Sequence, residues 1–422
     1  MDKPMEKEIR NERPERAVLV AVQLPNRPDT GPLLRELGEL AKTAGAEVVG
    51  TLTQDRDRFE PGTYLGTGKL EELRELVLSV NADLVITDDE LSPAQQKNLE
   101  RALDVRVLDR TAVILDIFAD HARTSEGKLQ VELAQLRYNL SRLTGQGTAL
   151  SRLGGGIGTR GPGEKKLEQD RRAVRNRIGQ LRRELEEVKA HRELTRKERT
   201  KKGVPVAAVV GYTNAGKSTL LNVLTDAGIL AEDKLFATLD TTTRMLELPG
   251  KQQILLTDTV GFIRKLPTEL IRAFRSTLEE ASYADYLIHV VDASDPEWET
   301  YRKTVYETLD LLEIREKPVL TVFNKMDVVE GEIHLRDERA EKTVRISAKT
   351  KEGLDQLTEA LLEMIRGGKR RIEMVLSFDQ MSILSEIRKK GELLAEEYLP
   401  EGVRIEAYVP SELAGKLDHL KG

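Results

Sequence analysis

The fold of this chain is decided by one stretch, VPVAAVVGYTNAGKSTLLNVLTD (204–226). An apolar run opens the stretch, a glycine turn with a lysine and a serine follows, and helix-forming residues end it. Its middle, Gly211 to Ser218, matches the pattern GxxxxGK[ST] in the required position between a strand and a helix. Such a turn surrounds phosphate oxygens with backbone N–H groups, and the positive end of the helix adds attraction. The stretch therefore predicts a phosphate-binding loop on an α/β domain.

Strand-like runs recur after this loop in an order that is typical of an open α/β sheet. They are RMLELP (244–249), QQILLTD (252–258), YLIHVVDA (286–293), PVLTVFN (318–324) and TVRIS (343–347). Helical segments alternate with most of them, the last being GLDQLTEALLEMIR (353–366), which predicts a mostly parallel sheet. The turn LPGKQQ predicts one antiparallel strand at the sheet edge.

Three further motifs stand at predicted carboxyl ends of strands, where open α/β sheets bind ligands. Asp258-Thr-Val-Gly261 offers a carboxylate that holds Mg²⁺ through water and a glycine N–H for the γ-phosphate. Asp327, the last residue of NKMD, accepts hydrogen bonds from guanine N1–H and N2–H₂, a donor face that adenine lacks. The motif Ser347-Ala-Lys349 is expected to lie over the base. Together the motifs predict a site for GTP and GDP.

The residues predicted from these motifs to contact the nucleotide form four groups along the chain. They are Gly211, Tyr212, Thr213, Asn214, Ala215, Gly216, Lys217 and Ser218; Asp258, Thr259, Val260 and Gly261; Asn324, Lys325, Met326 and Asp327; and Ser347, Ala348 and Lys349. The hydroxyl of Ser218 is also a predicted Mg²⁺ ligand.

The predicted catalytic groups are Lys217, Asn214 and Gly261. Lys217 is expected to reach the β- and γ-phosphate oxygens. Phe262 stands where many GTPases have a glutamine that orients the attacking water, so unaided hydrolysis should be slow. Asn214 has two interpretations: its side-chain oxygen helps to bind K⁺ beside the β/γ bridge, or it only forms the turn. One threonine of the segment 236–243 should complete the Mg²⁺ shell, and spacing alone does not choose among Thr238, Thr241, Thr242 and Thr243.

A second α/β region precedes the phosphate-binding loop. Its strand-like runs are AVLVAVQL (17–24), AEVVGTL (46–52), ADLVITD (82–88) and VRVLD (105–109), and helical stretches lie between them. They predict a small, mostly parallel sheet covered on both faces. The segment Gly66-Thr-Gly68-Lys69 resembles a second phosphate loop. A glycine turn before a helix is the better interpretation, because Thr63 and Leu70 replace the required glycine and Ser/Thr.

Residues 126–202 have the periodicity of paired helices. The first apolar seam is Leu129, Leu133, Leu136, Leu140 and Leu143, and the second is Leu167, Val174, Ile178, Leu181, Leu185 and Val188. Residues 145–163 between the seams contain eight glycines and predict a long loop. We therefore expect an antiparallel two-helix coiled-coil arm with a flexible tip.

The charge of this arm differs from that of the whole chain, whose formal net charge is −6. Residues 133–163 contain four arginines and no acidic residue, and residues 164–202 contain 15 basic and 8 acidic residues, so the arm carries +11. The acid-free part predicts RNA contacts by its arginines, Arg137, Arg142, Arg152 and Arg160. The alternative, a solvated coiled-coil face, explains the alternating charges after Glu184 better than the acid-free part.

Composition excludes several classes of protein. There is no cysteine, so disulfides, zinc–cysteine sites and thiol catalysis are excluded. The first 16 residues are charged, and no apolar run approaches the roughly 20 residues of a membrane span, so we expect a cytoplasmic protein without integral membrane association. Because the heptads can close within one chain, we expect a monomer.

The predicted organisation is an α/β multidomain chain. Its segments are a charged tail (1–15), an N-terminal α/β domain (16–124), the helical arm (125–203), a P-loop GTPase domain with a mostly parallel sheet (204–368), and a small C-terminal α+β domain (372–422). The pattern of the last segment reads strand, helix, strand, helix.

Over nearly its whole length the chain resembles the HflX-type GTPases, a ribosome-associated branch of the translation-factor-related P-loop class. Besides the nucleotide motifs, the resemblance rests on DRTAVILDIFADHARTSEGKLQVELAQL (109–136), GGIGTRGPGEKKLEQDRR (155–172), FATLD (236–240) and DTVGFIRKLP (258–267). It implies that Phe236, Ala237, Thr238, Leu239 and Asp240 line the nucleotide, that Thr238 is the Mg²⁺ threonine, and that an apolar residue after DTVG is normal. The chain departs from the family at Thr241, where proline is common, and at Lys165 and Gln169, where the family has threonines.

The resemblance further implies a partner. A GTPase of this type binds the large ribosomal subunit and its rRNA in the GTP form, and it dissociates or rescues stalled ribosomes. Two alternatives stay open: a GTPase that assists subunit assembly, and a nucleotide-gated RNA-binding scaffold for which hydrolysis is incidental.

Overall fold

The computed structural model describes residues 13–25, 27–150, 162–200, 204–225, 235–236, 242–249, 252–267, 270–271, 280–331, 333–367 and 369–418. These residues form three sheets, of four, six and three strands. In the part of the chain so described, no helix is long and apolar enough to cross a membrane.

The first sheet is fully parallel, as predicted. Its strands are β1 (Glu15–Gln23), β2 (Ala46–Asp55), β3 (Leu84–Thr87) and β4 (Arg106–Asp109), in the order β2-β1-β3-β4. The accompanying helices are α1 (Thr30–Thr43), α2 (Thr67–Ser79), α3 (Pro93–Leu103) and α4 (Arg110–His121). Gly66 caps the N-terminus of α2, and the Lys69 ammonium pairs with Glu72 at 2.8 Å. The glycine turn predicted there is confirmed.

Two long helices follow, and they confirm the predicted helical arm. They are α5 (Ser125–Leu150) and α6 (Pro162–Thr200). Each helix extends into the glycine-rich segment at 145–163, so the predicted loop is shorter than its composition indicated, and residues 151–161 lie outside the described part of the chain. Leu133 and Ile178 are buried, and Arg177 joins the helices by donating to both carboxylate oxygens of Glu132, at 2.7 and 2.9 Å.

The six-stranded sheet is parallel except at one edge. Its strands are β5 (Val206–Gly211), β6 (Thr243–Leu248), β7 (Gln252–Asp258), β8 (Tyr286–Asp292), β9 (Val319–Asn324) and β10 (Lys342–Arg345), in the order β10-β9-β8-β5-β7-β6. Helices α7 (Lys217–Thr225), α8 (Glu280–Tyr283), α9 (Trp298–Leu311) and α10 (Leu354–Gly367) accompany it. Strand β6 is antiparallel to β7, which confirms the predicted edge strand.

The third sheet corrects the predicted pattern of the C-terminal segment. After β11 (Lys369–Leu376) and α11 (Met381–Lys390) come two strands, β12 (Glu392–Leu399) and β13 (Gly402–Pro410), and then α12 (Ser411–Asp418). The prediction had one strand at this position. The sequence ELLAEEYL of β12 is rich in helix-forming residues, and antiparallel pairing with β13 overrides that local preference.

Candidate nucleotide-binding site

The phosphate-binding loop connects the end of β5 to the start of α7. Asn214 is exposed at its tip with φ +62°, and Gly216 has φ +93°. A Cβ atom on Gly216 would lie 2.2 Å from the Asn324 side-chain nitrogen, so the loop needs glycine here for two reasons, backbone conformation and space.

Lys217 is buried at the first position of α7. Its ammonium group donates to the carbonyl oxygens of Gly211 and Tyr212, at 3.1 and 2.7 Å, so it lies along the inside of the loop. Burial lowers the pKa of Lys217 to about 8, and the negative charge of Asp258 acts in the opposite direction. Phosphate oxygens would supply the negative charge that a buried ammonium group requires.

The DTVG motif packs directly against this loop. Thr213 N–H donates to the carbonyl of Phe262 at 2.8 Å, and Phe262 N–H donates to the carbonyl of Gly211 at 3.1 Å. A Cβ atom on Gly261 would lie 2.9 Å from Thr213 Cγ2 and 3.0 Å from Lys217 Nζ. Any side chain at position 261 would crowd Lys217 Nζ, so a glycine lets the backbone approach the lysine that is predicted to hold the γ-phosphate.

Asn324 connects the loop to the base-recognition motifs. Its side-chain nitrogen donates to the Ala215 carbonyl at 2.9 Å, and its side-chain oxygen accepts from Ala348 N–H at 2.9 Å. The sequence predicted a nucleotide contact for Asn324, and the structure gives this amide a bridging role between two motifs that are far apart in the chain.

Asp327 and Lys349, for which the sequence predicts contacts with the base, are exposed. Ser347 donates its hydroxyl to one oxygen of Asp327 at 2.7 Å, which orients the carboxylate. Lys325 pairs with Asp292 at the end of β8, at 2.7 Å. Sequence reasoning missed Asp292, although it ends a strand at the same sheet edge as the four motifs.

Comparison with known proteins finds family models that match three consecutive parts of the chain. Family models match in series: GTP-binding GTPase N-terminal (32–119), GTP-binding GTPase middle region (121–199) and 50S ribosome-binding GTPase (206–325). The GTPase HflX of Lacrimispora saccharolytica is 59% identical over 403 residues, 96% of this chain and 95% of that protein. The chain belongs to the HflX family of GTPases. The HflX of Escherichia coli is 46% identical over 356 residues, 84% of this chain and 83% of that protein.

Among solved structures, a GTP-binding protein of Sulfolobus solfataricus in complex with GDP aligns with a TM-score of 0.45. The identity is 25%, and the alignment covers 83% of this chain and 98% of that one. As a member of the HflX family, the chain is an enzyme that binds GTP and hydrolyses it to GDP and phosphate.

The oxygen donors of the site fit the Mg²⁺ ion that GTPases use. Ser218 lies in the first turn of α7, and the carboxylate of Asp258 is fully buried at the end of β7. Hydroxyl and carboxylate oxygens are the ligands that this hard cation prefers. Among the described residues no group of three or more His, Cys, Asp or Glu could hold a metal ion.

The segment FATLD lies mostly outside the described residues, including Ala237, Thr238, Leu239 and Asp240, so the Mg²⁺ threonine stays a prediction. Phe236 is described. It is buried with φ +57°, and its carbonyl oxygen lies 2.9 Å from His121 Nδ1 at the end of α4. Sequence reasoning missed His121, because a single histidine in a long helix gives no signal of its own.

The predicted RNA-contacting arginines have different environments. Arg142 is 14% exposed, forms an ion pair with Asp109, donates to Gln96 at 3.1 Å and lies over the ring of Tyr138. Its charge is thereby neutralised within the protein, which argues against the predicted contact of Arg142 with RNA. Arg137 is half-buried. Arg152 and Arg160 lie outside the described residues.

Proposed function

We propose that this HflX-family GTPase binds the large ribosomal subunit in its GTP form and dissociates or rescues stalled ribosomes. The family model 50S ribosome-binding GTPase, which matches residues 206–325, supports a ribosomal partner. The observation that carries the proposal is the basic arm.

Helix α6 provides the structural support for RNA contact. Residues 171–183 contain six arginines and no acidic residue. Arg172, Arg175, Arg182 and Arg183 are exposed, and the helical period puts all four on one face, beside the apolar seam that contains Ile178. Such a row of guanidinium groups suits the phosphates of an RNA helix, which proteins read mainly by shape and charge.

The nucleotide site supplies the switch in this proposal. Asp327 selects guanine, Lys217 holds the β- and γ-phosphates, and Gly261 N–H is available to the γ-phosphate, so the site distinguishes GTP from GDP. Bound Mg²⁺, held by Ser218 and through water by Asp258, would neutralise charge that develops on the phosphates. Phe262 is buried and cannot orient water, so we expect slow hydrolysis until a ribosome engages the protein.

A sucrose gradient of ribosomes with a non-hydrolysable GTP analogue tests the proposal. We expect 70S-type particles to move into the subunit fractions, with the protein on the large subunit. Co-sedimentation with immature subunits alone would favour the assembly alternative. A Lys217 or Asp258 variant that binds GTP without turnover tests the scaffold, since pure scaffolding needs nucleotide binding but no hydrolysis.

The arm is tested separately by the triple change Arg172→Ala, Arg175→Ala and Arg182→Ala. Ribosome binding should weaken, and the slope of log affinity against log salt should fall by about 3, one for each RNA phosphate that is no longer neutralised. A charge-matched control removes three exposed cations of the GTPase domain, Lys303, Arg315 and Arg336. Equal weakening in both triple variants would show a general charge effect and contradict the role of the arm.

Asn214 supports a second proposal, a K⁺ site. Its left-handed backbone suits a turn-forming asparagine, and its exposed amide suits a cation ligand, so both interpretations stay open. If Asn214 binds the ion, K⁺ accelerates hydrolysis relative to Na⁺ at equal ionic strength, and Asn214→Ala abolishes the difference. Equal rates in the two salts would leave the turn as the only role.

A further inference from the structure

Four side chains form a compact cluster beside the phosphate-binding loop. Tyr212 is the second residue of the loop, Arg264 follows Gly261 by three residues, Glu297 directly precedes α9, and Tyr301 lies in its first turn. The rings of Tyr212 and Tyr301 are stacked, with centroids 4.1 Å apart and planes at 16°. The Arg264 guanidinium lies 4.7 Å from the Tyr301 ring centroid and 3.0 Å from a Glu297 oxygen. We call this set the Arg264 cluster.

The cluster holds the segment that follows the γ-phosphate glycine. Arg264 N–H donates to the Tyr212 hydroxyl at 2.8 Å. Two residues earlier, Phe262 is hydrogen-bonded through its backbone to Gly211 and Thr213. The segment from Gly261 to Arg264 is therefore fixed to the phosphate-binding loop at two successive points, and Gly261 has little freedom to move away from Lys217.

The chemistry of Arg264 indicates positioning rather than simple packing. Its side chain is 7% exposed, and its acidic partner Glu297 is 32% exposed. A buried ion pair is weak support for stability, because well-packed apolar residues in its place are often as stable or more so. What a planar guanidinium adds is directional contact with both a ring face and a carboxylate.

We propose that Arg264 is a positioning residue for GTP hydrolysis, acting through Tyr212 and Tyr301 on Gly261. Since Phe262 cannot orient water, the transition state depends more strongly on backbone groups, and a displacement of Gly261 removes an N–H from the developing charge on the γ-phosphate. GDP has no γ-phosphate. The Arg264 cluster should therefore affect kcat for GTP and leave affinity for GDP nearly unchanged.

The test uses the full chain with Mg²⁺. In Arg264→Ala, kcat at saturating GTP should fall about 10- to 100-fold, the loss expected when a group is displaced by about 1 Å, whereas the Kd for GDP from calorimetry should change by less than about threefold. Arg264→Lys keeps the charge but loses the planar stacking, so its kcat should be intermediate. Tyr301→Leu should also lower kcat, and the conservative Tyr301→Phe should restore most of the loss.

The matched control is Arg339→Ala in the same domain. The Arg339 guanidinium also lies 4.7 Å from a tyrosine ring, that of Tyr306, and pairs with Asp310 at 2.7 Å. This variant should keep the kcat of the unmodified protein within about twofold, a change of less than about 0.5 kcal/mol in barrier.

Two results would overturn the proposal. One is an unchanged kcat in Arg264→Ala. The other is a joint loss of kcat, GDP affinity and Tm, which would indicate a purely structural residue. If Arg264→Ala does not fold, Tyr301→Leu decides by the same criteria, because leucine is well tolerated on a helix.

Discussion

The four-stranded and six-stranded sheets both have polar side chains at the carboxyl ends of their parallel strands, and these side chains have different partners. In the N-terminal sheet the acidic groups are neutralised by neighbouring side chains. Buried Arg110 pairs with Asp88, at 3.0 Å, and with Glu36. Asp89 accepts from Tyr64 at 2.8 Å and from Arg27 at 2.7 Å.

The GTPase sheet has the opposite arrangement. Here Lys217 is buried and donates to backbone carbonyls, which carry no net charge, and the nearby Asp258 offsets part of its charge. The backbone N–H groups of the phosphate-binding loop lie next to this ammonium group. The pKa values show the same contrast. Burial and the negative charge of Asp89 raise the pKa of Tyr64 well above its ordinary value, so its hydroxyl stays protonated. Burial lowers the pKa of Lys217 to about 8. The two sheet edges therefore differ in the groups that accept from a buried cation, which are carboxylates at Arg110 and backbone carbonyls at Lys217.

The sharpest test of this contrast exchanges two of the buried cations, Arg110 and Lys217, for apolar residues. Arg110→Met removes the cation shared by Asp88 and Glu36 and should lower the free energy of unfolding by about 3–5 kcal/mol. Lys217→Met, measured without nucleotide, should leave stability unchanged or higher, because it removes a desolvated ammonium group. Denaturant titration checks both values. A large destabilisation by Lys217→Met would contradict the contrast.

The carboxylates provide the next test. Asp327→Asn should lower GTP affinity about 100-fold and favour xanthosine triphosphate, because an amide cannot accept both guanine donors. Asp89→Asn should leave GTP affinity within about twofold, since its partners belong to the fold. Calorimetry with both nucleotides measures the shift. Retained GTP affinity in Asp327→Asn would exclude the predicted base contact.

The depressed pKa of Lys217 predicts a pH effect of known sign. Between pH 8 and the ordinary lysine value of 10.5, the unfolded chain holds a proton that the folded chain has lost, so raising the pH through this window favours the folded state. The nucleotide-free protein should gain about 2 kcal/mol from this group between pH 8 and 10. The free energy of unfolding is measured against pH for the unmodified protein and for Lys217→Met, and the difference between the two curves gives this contribution. Parallel curves would show that the pKa is not depressed.

Contacts between residues close together in the sequence could be predicted, whereas contacts between distant segments could not. The loop, DTVG, NKMD and SAK are local patterns, and each stands at the strand end that the alternating pattern predicted. The bridge from Asn324 to Ala215 and Ala348, the pairing of Arg142 with Asp109, and the Arg264 cluster join distant segments, so no local pattern indicates them. Strand β12 was missed for a related reason, because its helix-forming residues are overruled by pairing with β13.

The smallest expected effect concerns the glycine turn that resembles a second phosphate loop. Lys69 lies in the first turn of α2, as Lys217 lies in that of α7, but its side chain is 22% exposed and pairs with Glu72. A pair of this kind contributes about 0.5 kcal/mol, so Lys69→Ala should change the free energy of unfolding by no more than that and leave GTP affinity unchanged. If Lys69→Ala instead lowered the measured stoichiometry of GTP binding, the N-terminal sheet would hold a second nucleotide, and the contrast between the two sheet edges would fail.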